Sequence, residues 1–240
     1  MPKAAIPAEL PPLFRRLKLG PMLDTLPERL LAARQSKMPH ADLLVMLFSD
    51  EVQRRDGNAA RRRAAKAGLD PQMVMDAWDS SADVSFDQML LNELMTLRFV
   101  EQHHHVVALG PVGVGKTFLA HALGHIAVRR RVSVVCGTAH ELLHRLRASR
   151  LDNTHAAEMR RMCTVDLLIV DDFAQRPMDA QQTADFFQIV EARDRKASMV
   201  VTSNREPQEW LPLMADPLLA QAAVDRLSNR AYDLVIEGES

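Results

Sequence analysis

Cysteine is nearly absent: Cys136 and Cys163 are the only two, and no C-x-x-C spacing joins them. That excludes a disulfide-framed scaffold and a cysteine-built zinc site, and both thiols read as reduced core residues of a cytoplasmic protein. Long apolar runs are also missing. Nothing approaches the roughly 20 residues of a membrane-spanning helix, so no membrane partner is expected. The opening Met1-Pro2-Lys3, with Pro7, Pro11 and Pro12, has no apolar core of a secretory signal. Net charge is close to nil, at −1, but it averages two unlike parts. Residues 1–75 hold 13 Lys+Arg against 8 Asp+Glu, a net of +5, and residues 76–240 hold 17 against 23, a net of −6. A basic front end on an acidic body suits contact with a polyanion, and it equally suits a solvated helical surface.

What is present is a phosphate loop. Val106, Val107, Ala108 and Leu109 form an apolar run that reads as a buried strand. Gly110, Pro111, Val112, Gly113, Val114, Gly115, Lys116 and Thr117 follow, and Phe118, Leu119, Ala122, Leu123 and Ile126 continue as a helical stripe. This is G-x-x-x-x-G-K-[ST] between a strand and a helix, the context in which the motif carries weight. The loop wraps backbone N–H groups around phosphate oxygens, which side chains at its glycines would obstruct. The helix N-terminus adds positive potential. Lys116 reaches the β- and γ-phosphates, and Thr117 offers a hydroxyl to Mg²⁺. The cofactors expected are ATP and Mg²⁺.

Farther along, Leu167, Leu168, Ile169 and Val170 run into Asp171 and Asp172, 54 residues after Thr117. Asp171 is placed to hold Mg²⁺, and Asp172 to orient or deprotonate the attacking water. Another apolar run, residues 197–204, ends in Thr202, Ser203 and Asn204. Asn204 is a candidate sensor of the γ-phosphate, with Ser203 or Thr202 in support. Expected between these are a second strand at residues 132–136, a helix at 139–150 capped by Thr138, and a helix at 179–195. A helix at 218–227 and a short strand at Val235 and Ile236 close the chain.

The front part, residues 13–67, reads as helical, with Gly20-Pro21 and Pro27 as interruptions and a flexible tail before it. Leu43, Leu44, Leu47, Phe48 and Val52 form one apolar face. Arg54, Arg55, Arg61, Arg62, Arg63 and Lys66 form a basic row fit to track a phosphate backbone without sequence preference; no aromatic is interleaved for base stacking. Residues 68–81 read as a linker. Phe86, Leu90, Leu91, Leu94, Leu97 and Phe99 make a helical stripe before the first strand, well placed to cover a base and equally suited to plain packing. His103, His104 and His105 are adjacent, and three consecutive residues do not converge on one metal ion from a regular element.

At these residues the chain resembles an AAA+ ATPase, and more narrowly the IstB-type helper ATPases of bacterial insertion sequences, relatives of the DnaC/DnaI helicase loaders. The likeness rests on the phosphate loop, on residues 167–173, and on Thr202-Ser203-Asn204-Arg205 with Glu209-Trp210. It continues in Asp216-Pro217, Asp225-Arg226-Leu227 and residues 236–240. It implies a three-layer α/β AAA+ P-loop fold with a parallel sheet at residues 76–240, behind a small all-helical DNA-binding and oligomerisation domain at 1–75. It also implies a homo-oligomer with ATP at subunit interfaces, in which Arg226, or more weakly Arg230, completes the neighbour's site. By spacing alone Arg226 is equally a partner for Asp225 or for a neighbouring helix. The function implied is a transposition helper that oligomerises on double-stranded DNA, remodels it and delivers it to a transposase of the same element. A replicative-helicase loader is the alternative; a small-molecule kinase lacks a recognisable acceptor insert. Two positions depart from the family pattern: Ala174 where relatives usually have Gly, and Asp172 where many AAA+ proteins place Glu.

Overall fold

The structure, a computed structural model, describes residues 6–79 and 83–238. The first residues of the expected tail, Ser80 and Ser81 of the expected linker, and Glu239-Ser240 lie outside them. The chain divides into two compact units, Met1–Ala59 and Ala60–Ser240. The sequence boundary at 75/76 falls later than this division. The reason lies in the core, because Ala64, Ala67 and Leu69 are buried among residues of the second unit.

The first unit holds α1 (Leu10–Arg16), α2 (Met22–Gln35) and the start of α3 (His40–Ala67). Pro11 and Pro12 lie in the first turn of α1, where a missing N–H costs nothing, so the expected tail is partly helix. Gly20-Pro21 separates α1 from α2, whereas Pro27 is carried inside α2 without ending it. The small core gathers Met22, Leu26 and Leu47 with Phe14, Leu23 and Leu43 around them. The rest of the expected apolar face of α3 points outward: Leu44, Phe48 and Val52 are exposed.

The second unit is a sheet covered on both faces. Its strands are β1 (Val84–Phe86), β2 (His105–Leu109), β3 (Val134–Thr138), β4 (Leu167–Asp171), β5 (Ser198–Ser203) and β6 (Ala231–Gly238), in the order β1-β6-β2-β5-β4-β3. All neighbours are parallel except β1 with β6. Alternate side chains go to opposite faces. Val107, Leu109, Leu168, Val170, Met199 and Val201 meet α7 (Ala139–Ser149), α8 (His155–Thr164), α9 (Ala180–Arg193) and α11 (Pro217–Ser228). Val106, Ala108, Leu167, Ile169 and Val200 meet the last turns of α3, α4 (Gln88–Met95), α5 (Arg98–Glu101) and α6 (Lys116–Arg129). Three expectations change. Phe86 belongs to a strand, not to the helical stripe; β6 is eight residues long; and α8 was not anticipated. A four-residue helix, α10 (Pro207–Trp210), follows β5.

Candidate active site

β2 ends at Leu109, and the loop that follows is shaped by its protein neighbours before any phosphate arrives. Gly110 has φ +149°, and a Cβ there would lie 2.1 Å from the Ile236 carbonyl oxygen of β6. Gly115 has φ +92°, and a Cβ there would lie 2.7 Å from the Trp78 ring. Both glycines are therefore required by adjacent chain as well as by phosphate approach. Lys116 opens α6, is buried, and donates to the Pro111 carbonyl at 2.5 Å. Burial lowers its pKa, and the charges of Asp172 and Asp171 oppose that shift.

Opposite the loop, β4 delivers Asp171, which is 4% exposed. Its Oδ1 accepts from the Thr117 hydroxyl at 3.0 Å and from the Thr202 hydroxyl. A threonine hydroxyl beside a carboxylate is a pair of hard oxygen donors, the kind Mg²⁺ takes, so these residues fit that ion. Asp172 turns the chain away with φ 52°, a left-handed conformation that Asp tolerates better than most residues. Its N–H donates to Thr202 Oγ1 at 2.9 Å, and the Phe173 N–H donates to the Thr202 carbonyl at 2.8 Å. Burial, then the charge of Asp171, raises the Asp172 pKa against the pull of Lys116 and a hydrogen bond from Gln175. The shift moves the carboxylate toward the range in which a general base works. Asp172 lines a cleft of about 250 Å³ with Thr138, Glu141, Gln175 and Arg176.

β5 lies between the loop strand and the acid strand, and its last residues hold the two together. The sequence reading gave Thr202 only a supporting part beside Asn204; in the structure its hydroxyl joins Asp171 to the Asp172 backbone. The available signal was a threonine two residues before the asparagine at the end of an apolar run. Ser203 is a second junction, donating to the Phe173 carbonyl at 2.9 Å and accepting from Trp210 Nε1 at 3.2 Å and the Arg205 N–H at 3.1 Å. Asn204 is exposed one residue beyond β5. Because Ser203 pairs with Leu109, Asn204 stands at the mouth of the loop beside Gly110.

Arg226 is not brought to this cluster. α11 runs into β6, whose first residue Ala231 pairs with His105, the first of β2. Arg226 therefore sits near the edge where the strands begin, while the loop follows the edge where they end. There it lies over the Phe187 ring, 5.2 Å from its centroid, and 3.7 Å from a Glu191 carboxylate oxygen. Asp225 instead accepts from Gln221. Arg230 is exposed, and its carbonyl accepts from the His105 N–H at 2.8 Å.

The expected basic row splits by role. In the first unit Arg54 and Arg55 both donate to Glu51, at 2.8 Å and 2.6 Å, and Arg55 also reaches the Lys18 carbonyl. The Arg54 bond foremost holds the Glu51 carboxyl down to about 2. In the second unit Arg63 donates twice to the Val128 carbonyl, at 3.0 and 2.9 Å, capping the C-terminus of α6. Arg61, Arg62 and Lys66 are exposed. Of the histidines, His105 is buried in β2 and His104 packs on Tyr232. Among the described residues no group of three His, Cys, Asp or Glu is arranged to hold a metal. No helix among them is long and apolar enough to cross a membrane.

A phosphate loop after one parallel strand, a paired acid after another, and a threonine-bearing strand inserted between them define a P-loop ATPase of the AAA+ class. Comparison with known proteins narrows this. The family described as IstB-like ATP binding protein matches residues 13–240, and the chain belongs to it. A putative ATP-binding protein in an insertion sequence of Mycobacterium tuberculosis is 33% identical over 95% of this chain and 91% of that protein. The insertion sequence IS21 putative ATP-binding protein of Pseudomonas aeruginosa is 30% identical over 97% and 88%. Among solved structures, DnaI has a TM-score of 0.59 at 21% identity, covering 70% of this chain and 94% of that one.

Proposed function

We propose that the protein is a transposition helper of the cytoplasm. With ATP it oligomerises on double-stranded DNA, largely regardless of sequence, remodels it and presents it to a transposase encoded by the same element; hydrolysis resets the assembly. The observation that carries this reading is the separation of Arg226 from its own phosphate loop. Lys116 sits on one side of the place where charge develops, and the second cation expected there stands at the opposite edge of the sheet. A neighbouring copy in head-to-tail order brings one to the other. Family membership, and relatives named for insertion sequences, point to the same setting.

In this scheme the loop amides and Lys116 hold the triphosphate. Thr117 and Asp171 would hold Mg²⁺, which would neutralise negative charge on the phosphates. Asp172 orients and deprotonates the attacking water, Thr202 fixes both acids, and Asn204 polarises the water from the loop's mouth. The neighbour's Arg226 stabilises the transferring phosphoryl group. For DNA, Arg61, Arg62 and Lys66 in the second unit present charge to phosphates. Arg54 and Arg55 contribute through donors left over from Glu51, and Arg63 acts mainly as a helix cap. The test is particle mass with and without ATP, on random duplex and on single strands of equal length. Large ATP-dependent particles on the duplex are expected; assembly on single strands only, or only with a hexameric helicase, would replace this reading with a loader.

A further inference from the structure

Aromatic residues make up 5% of this chain, yet three of them meet at the head of α6. The Trp78 ring packs edge-on against Phe118, with centroids 5.3 Å apart at 61°, and against Phe86 at 6.0 Å and 78°. It also closes over Gly115, the residue before Lys116. Trp78 is half-buried, unlike Trp210, which is wholly enclosed. Its position is held by residues 63–78, which run the length of the phosphate-loop helix. Arg63 caps α6 at Val128, the Asp70 carbonyl meets His125 Nε2 at 2.7 Å, and the Asp70 N–H donates to His121 Nδ1 at 3.0 Å. Leu69 fills the space above Gly124, where a Cβ would lie 2.6 Å from its Cδ2. A strap fastened at each turn thus delivers one partly open indole to the first turn of α6.

We propose that Trp78 receives the base of the bound nucleotide and sets the preference for a purine. The inference rests on the phosphate-loop reading. With the phosphates on residues 110–117, the sugar and base extend past the first turn of α6, toward Phe118 and the indole packed edge-on against it. A half-buried indole stands there, an aromatic surface whose only fixed polar group is one N–H donor. Such a platform favours the larger surface of a purine over a pyrimidine and separates adenine from guanine only weakly.

The test titrates ATP, CTP and tripolyphosphate into the full chain and into its W78F and W78A variants, by calorimetry and tryptophan emission. Emission should change with ATP in the wild type and not in W78F, because Trp210 is sealed. W78A should weaken ATP by roughly 5- to 150-fold, the loss of one base–aromatic stack. Its affinity for tripolyphosphate should be unchanged, its preference for ATP over CTP should shrink, and W78F should restore most of both. Equal weakening of ATP and tripolyphosphate in W78A would make Trp78 a prop of the loop, and unchanged ATP binding would make it a bystander; either overturns the proposal. A wild type that binds neither ligand would instead overturn the phosphate-loop reading itself.

Discussion

A single hydroxyl, that of Thr202, joins the two acids of the site: it donates to Asp171 and accepts from the Asp172 N–H. Removing it leaves an acid less firmly oriented and a partly buried amide unsatisfied. Thr202→Val keeps the shape, so nucleotide affinity should change little. The hydrolysis rate should fall roughly 10- to 100-fold, the value of hydrogen bonds to a charged group; a turnover assay beside a binding isotherm separates the two. Lys116, Thr117, Asp171 and Asp172 were legible because a linear motif and a strand ending in acids carry their chemistry in the order of the chain. The bridging role of Thr202, read only as support for Asn204, and the placement of Trp78 were not, since each depends on a gap in sequence: 31 residues from Asp171 for the first, and 40 to Phe118 for the second. Ala174 shows the converse. Its φ is 58°, so the chain makes a left-handed turn there without glycine, the residue that adopts it most easily.

At the level of elements, the start of β2 carries an ionisable group in an apolar setting. His105 is 1% exposed, its Nδ1 accepts from the Met199 N–H at 3.1 Å, and burial, with Arg193 nearby, pushes its pKa down to about 4. The unfolded chain takes up the proton near 6.5 and the folded one near 4. Its contribution is therefore complete above about pH 6.5 and is lost as pH falls toward 4, by about 3 kcal/mol in total. Urea midpoints between pH 7.5 and 4.5 should show a steeper acid decline in the wild type than in His105→Gln. The buried strands were legible from apolar runs too short for helices. Among the elements missed or expected only in part, α8 and β6 have little apolar content. α8 buries only Met159 and Met162, and β6 alternates buried Leu234 and Ile236 with exposed neighbours. Strap residues 68–79 looked like a linker because their fastenings lie on α6: Asp70 meets His121 and His125, and Leu69 packs above Gly124.

At the level of the whole molecule, the division of labour between copies is open to a complementation experiment. Arg226→Ala alone should bind nucleotide and lose roughly 10³-fold or more in turnover, the scale of an arginine acting at the transferring phosphate. Asp172→Ala alone should also be inactive. Mixed, the second variant lends its arginine to the intact acids of the first, and turnover should return in proportion to mixed contacts. No recovery would place Arg226 in its own subunit's structure, held by Glu191 and Phe187. The fold class was readable from the alternation of strands and helices, whereas the placement of Arg226 depended on the direction of β6, which one short apolar pair could not reveal.

The seating of Gly110 against the Ile236 carbonyl bears on the order in which the protein matures at the ribosome. β2 is flanked by β5 and β6, both of which come later in the sequence than the phosphate loop. While translation proceeds, the phosphate loop is already outside the exit tunnel but lacks the wall that shapes its first residue. The wall against which Gly110 is seated forms only once residues 231–238 have paired with β2.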